Sequence, residues 1–79
     1  MNPLALAPEV LPILISRLTP RQLEIVGLLA QGQSTKTTAN ILSISPETVK
    51  RHIYRACEKM ELENRTQLIV VFTMAEMIK

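Results

Sequence analysis

Four helix starts are written into this chain, and two of them stand so close that little freedom is left between their elements. Thr19-Pro20-Arg21-Gln22 puts Thr at an N-cap, Pro at the first helical position and Gln at the third, the spacing of a capping box. Ser34 opens a short second helix over about Thr35 to Leu42. Ser45-Pro46-Glu47 opens a third, with an acid where the positive end of the helix dipole favours one. Asn64-Arg65-Thr66-Gln67 opens a fourth, again with Gln at the third helical position. Only Ser43 and Ile44 separate the second helix from the N-cap of the third, so those two helices must cross steeply. That is helix-turn-helix geometry.

What fills the interior follows from composition. Apolar residues make up 47% of the 79, yet the aromatics are only Tyr54 and Phe72, so the core must be aliphatic. Two glycines and little strand-like alternation leave nothing to build a sheet from, and an all-α fold is expected, in a single domain. The first capped helix should bury Leu23, Val26, Leu29 and Ala30 and end at Gly32. In the second, Ala39 and Leu42 should turn inward with Thr38 and Ile41 on the flanks, leaving Lys36, Thr37 and Asn40 outside.

Turning the third helix by about 100° per residue separates two arcs. Val49, Ile53, Ala56, Cys57 and Met60 gather on one, the core stripe. Glu47, Thr48, Lys50, Arg51, Tyr54 and Arg55 occupy the other. The net charge of +2 says little about partners, but from Ser34 to Lys59 five bases face two acids. A solvated helix face would account for such charges as well as a binding surface does.

The fourth helix is apolar almost all round. Leu68, Val71, Phe72 and Ala75 form one stripe, and Val70, Met74 and Met77 a second on roughly the far side. One small core covers only one of these, so the second is expected to meet another subunit. Ahead of the first cap, the run ALAPEVLPILISR is too apolar to float free. It should form an arm or a short helix from near Glu9, packed on the first or fourth helix.

Several function classes drop out. One His and one Cys cannot make a zinc site. No Ser-His-Asp set, Gly-rich phosphate loop or paired carboxylates can be assembled, so neither catalysis nor a cofactor is expected. The lone Cys57, on the core arc, excludes an internal disulfide and fits a reducing cytosol, giving a cytoplasmic expectation. The apolar start lacks a basic leader and is broken by Pro8 and Pro12, so neither a signal peptide nor a membrane span is expected.

Residues 18 to 69 resemble the helix-turn-helix domain of LuxR/GerE-type regulators. The resemblance rests on Leu18-Thr19-Pro20-Arg21 with Glu24, the run from Leu28 to Ser34, Leu42-Ser43-Ile44-Ser45, Thr48-Val49-Lys50 with His52, and Lys59-Met60 with Arg65. It implies a small stand-alone, four-helix module that binds double-stranded DNA with its third helix, about 46–60, in the major groove, and dimerises through its last helix. By position it implies base contacts from Lys50, Arg51 and Tyr54, and phosphate contacts from Thr48, Arg65 and Ser34, Thr35 and Lys36. Arg55 joins them on the basic arc, while Val70, Met74 and Met77 would form the dimer interface. No receiver or autoinducer-binding domain precedes these residues, so the input of larger relatives is expected to be absent. The organisation is an N-terminal arm over 1–16 and the regulator module over 17–79, with RNA polymerase as a further candidate partner.

Four departures stand out. Gln22 replaces a usual Glu, and Thr35 a common Asn. Thr37-Thr38 replaces a Glu-Ile pair, and the Thr38 hydroxyl should bond back to a preceding carbonyl. Glu61 stands where a Gly ends the recognition helix, at a cost of roughly 1 kcal/mol if it is left-handed there. A reading of another class is a non-catalytic adaptor that docks on RNA polymerase, a sigma factor or another regulator through its apolar helices. That adaptor would have no need of Lys50, Arg51 and Arg55 together.

Overall fold

The computed structural model describes residues 6–78 and contains five helices, with no strand among the described residues. They are α1 (Val10–Ser16), α2 (Pro20–Ala30), α3 (Thr35–Leu42), α4 (Pro46–Met60) and α5 (Arg65–Met77). The all-α expectation holds, and the N-terminal arm is a short helix. Residues 1–5 of that arm lie outside the described residues.

Each of the four expected starts closes as its sequence requires. Thr19 Oγ1 accepts from the Gln22 N–H at 3.1 Å while Gln22 Oε1 accepts from the Thr19 N–H at 3.0 Å, a full capping box. Ser34, Ser45 and Asn64 accept from the N–H three residues on, at 3.0, 3.1 and 3.0 Å. Gln67 reaches one residue further back than a capping box would, taking the Glu63 N–H at 2.9 Å.

The ends of α2, α3 and α4 share one device. At Gly32, Ser43 and Glu61 the backbone turns left-handed, with φ of 92°, 56° and 54°. The next residue then bonds back five positions: Gln33 to Leu28 at 3.1 Å, Ile44 to Ala39 at 3.0 Å and Leu62 to Cys57 at 2.9 Å. This is the Schellman pattern, which satisfies carbonyls the helix leaves open. Glu61 therefore adopts the left-handed form in place of a Gly. Ser43 does the same, and that turn sets the crossing of α3 on α4.

Packing follows α4 closely. All five residues of its expected core stripe are buried, with Val49, Ala56 and Met60 wholly so. In α2 the expected Val26 and Leu29 are buried, but Leu23 and Ala30 are only half-buried. Ile25 and Gln22 take the inner places instead, because α2 faces both α4 and α5 and its buried arc is broad. In α3 the inward pair is Thr38 and Ala39, not Ala39 and Leu42. The helix rolls to lay that pair on α4, which leaves Leu42 half-buried and Ile41 53% exposed. Thr38 Oγ1 has no hydrogen-bond partner, so the expected bond to a preceding carbonyl is not made.

α1 packs on α5. Leu11 and Leu14, 1% and 4% exposed, belong to the same core cluster as Leu68 and Val71. No side chain caps α1 at Glu9, so tertiary contact rather than local sequence holds this seven-residue helix.

Candidate nucleic-acid interface

α4 stands out from the domain as a ridge. Lys50, Arg51, Tyr54 and Arg55 are exposed, Tyr54 by 66%, and no other element covers them. Thr48 is half-buried, and its hydroxyl lies 2.8 Å from Ser45 Oγ at the helix start. Lys50 Nζ donates to Glu47 Oε1 at 3.4 Å, an exposed pair one helical turn long. Such a pair is worth a few tenths of a kcal/mol, so an incoming acceptor displaces Glu47 at little cost.

The two helices flanking α4 aim their N-termini at one side of this ridge. Arg65 Nη1 donates to Thr35 Oγ1 at 2.7 Å, tying the start of α5 to the start of α3. A guanidinium has five donors, so this bond fixes the arginine and leaves most of its capacity outward. Between these termini and the Lys50–Tyr54 side of α4 lies a cleft of about 300 Å³, floored by Ile53 and Cys57. Helix N-termini carry unsatisfied N–H groups and positive potential, and Arg65 and Lys50 beside them outnumber the one acid in the lining, Glu63, so the balance of this cleft favours anions. Ser34 is exposed at the α3 cap and gives a 3.0 Å bond to Thr37 Oγ1, while Lys36 projects outward from the first turn.

Two titratable side chains on α4 are perturbed. His52 is held below its ordinary value, first by partial burial and then by the charges of Arg55, Arg21 and Arg51. Burial pushes the Cys57 thiol up, so it is an unreactive part of the core rather than a thiolate. No group of three or more His, Cys, Asp or Glu residues able to hold a metal ion occurs among the described residues. Among the described residues no helix is long and apolar enough to cross a membrane.

The residues expected at a subunit contact divide. Val70 and Met74 are half-buried, and Met74 lines a groove of about 170 Å³ with Leu6, Pro8 and Leu11 of the N-terminal segment. Met77 is 78% exposed. Sequence reasoning missed the opposite flank of α4, where Lys59 Nζ donates to Gln22 Oε1 at 3.3 Å and Arg17 Nη1 to the Lys59 carbonyl at 3.3 Å. The Gln22 amide is 3% exposed, and its place on the inner arc of α2 was the available signal.

Comparison with known proteins finds the family model "Bacterial regulatory proteins, luxR family" matching residues 16–72. The nitrate/nitrite response regulator protein NarP of Escherichia coli K12 is 40% identical over 57 residues, covering 72% of this chain and 26% of its own length. The quorum sensing-dependent transcriptional regulator RpaR of Rhodopseudomonas palustris is 41% identical over 58 residues, covering 73% and 24%. The transcriptional regulatory protein DesR of Bacillus subtilis is 41% identical over 66 residues, covering 80% and 33%. The chain thus spans about a quarter to a third of the length of these relatives.

Proposed function

The chain belongs to the luxR family of bacterial regulatory proteins, and from that premise we propose that it binds double-stranded DNA sequence-specifically, as a homodimer, and regulates transcription without catalysis. Residues 17–79 act as the binding module, and 1–16 form an added N-terminal piece whose helix α1 docks on it. α4 enters the major groove. Lys50 and Arg51 donate to base edges such as guanine O6 and N7, and Tyr54 packs against the bases beside them. Thr48, Arg55, Arg65 and the start of α3 at Ser34, Thr35 and Lys36 hold phosphates, fixing register without reading sequence. The observation that carries this reading is the uncovered basic ridge on a helix whose other face is fully used by the core.

The test is a selection from random duplexes with the purified protein, followed by titration of the selected site. Replacing both Lys50 and Arg51 with Ala should weaken binding by about 30-fold or more while helical content stays unchanged, since each good base contact is worth about 1–3 kcal/mol. Unchanged affinity at moderate salt would reject the groove assignment. The adaptor reading would then be preferred, with Ile13, Met77 and Ile78 as exposed apolar docking residues.

A further inference from the structure

A helix seated in a groove has two flanks, and the reading above occupies only one of them fully. With its side chains an α-helix is about 10–12 Å across, and the major groove is about 12 Å wide. Both flanks of a seated helix therefore lie against the phosphate strands that bound the groove. One flank of α4, Lys50 and Tyr54, faces the starts of α3 and α5. The other carries His52, Arg55 and Lys59 and faces the start of α2.

This second flank is built rather than incidental. Arg17 is tied to it through the Lys59 carbonyl, and Lys59 is tied to α2 through the buried Gln22 amide. Arg21, Arg51 and Arg55 converge on His52 closely enough for their charges to act on its ring. Arg17, Arg55 and Lys59 are exposed and the Arg21 side chain is 43% exposed. Two acids stand near the group, Glu24, 3.5 Å from Arg21 Nη1 and itself exposed, and Glu58, exposed on α4 between Arg55 and Lys59. Arg51, Arg55 and Lys59 recur every four residues, a rise of about 6 Å per step, so the row of charge runs along the helix as a groove wall does.

We propose that Arg17, Arg21, Arg55 and Lys59 form a second phosphate clamp, gripping the strand opposite the one held by Thr35 and Arg65. The clamp widens the footprint beyond the groove to the corner between α1 and α2. It rests on the DNA-binding reading and adds nothing to base choice.

The test pairs wild-type protein with the double variant Arg21→Gln and Lys59→Gln, in which the glutamine at 59 still offers a donor to Gln22. Duplex affinity is measured across salt concentrations. The plot of log affinity against log salt should become shallower by about 1–2 in the variant, with the preferred sequence unchanged. A second readout uses the single histidine of the chain. Burial is the first cause of the lowering at His52 and the arginine charges the second, and phosphates over Arg21 and Arg55 would offset that second part, so its NMR titration should move up on adding duplex. No duplex binding by the wild type would overturn the DNA reading and the clamp together. Binding with an unchanged slope and an unmoved His52 would overturn the clamp alone. If the variant keeps its slope but loses affinity for polyglutamate, the face serves an acidic protein and the clamp is again wrong.

Discussion

Thr38 is wholly buried on α4 with a hydroxyl that finds no partner. Leaving a buried polar group unpaired costs about 1–3 kcal/mol, and removing the group costs nothing comparable when the shape is kept. Thr38→Val should therefore raise stability by about 1 kcal/mol, or about 4–8 °C in melting temperature for a domain of this size. A lower melting temperature would mean that the hydroxyl is satisfied after all. His52 gives the residue-scale pH dependence. Its folded value lies below the ordinary 6.5 because of burial and then Arg55, Arg21 and Arg51, so the fold prefers the neutral ring. As pH falls the unfolded chain binds its proton first, so this contribution is complete above about 6.5 and is lost as pH drops through 6.5 towards the folded value. In urea titrations between pH 7 and 5, His52→Gln should lose less stability than wild type, and parallel losses would refute the assignment. The sequence displayed the mixed position of His52 between core and surface. It did not display Arg21, which tertiary packing brings over from α2.

Elements were legible where the code is local. The caps at Thr19, Ser34, Ser45 and Asn64 need only four neighbouring residues, and the core stripe of α4 needs only a strong 3.6-residue period. Helix ends were harder, because a left-handed residue is obvious in sequence only when it is glycine. In sequence Gly32 marks a terminator, Glu61 conflicts with the turn it occupies, and Ser43 carries no signal at all. The conflict at Glu61 is resolved by tertiary structure. Leu62 is drawn into the core, 8% exposed, and its N–H bonds the Cys57 carbonyl, so the turn forms at the cost of local strain. Glu61→Gly should then stabilise the protein by roughly 0.5–1 kcal/mol, the relief of the left-handed strain less the greater freedom of glycine when unfolded. Chemical denaturation measures it directly. A destabilised Glu61→Gly variant would show that Glu61 makes a favourable contact at that turn which outweighs its strain.

At the scale of the whole molecule, the apolar circumference of α5 posed a question that one chain answers in part. The sequence put apolar residues on both sides of α5 and an apolar arm at the N-terminus. It could not show that one covers the other, since no period links segments so far apart. α1 takes the Met74 side through Leu11 and the groove around it, which Met77 also lines, and a partner subunit is left with a narrower strip from the exposed side of Met77 towards Val70. That changes which substitution tests the dimer. Met74→Glu would also push a charge against α1, whereas Met77 is 78% exposed and touches the fold lightly. If two copies meet on this strip, Met77→Glu buries an unpaired charge only in the dimer. Sedimentation equilibrium should then show the dimer weakened about tenfold or more, with thermal stability of the monomer unchanged. A wild-type chain already monomeric at micromolar concentration would remove this strip as a subunit contact. The groove and clamp contacts would stand as properties of a single module.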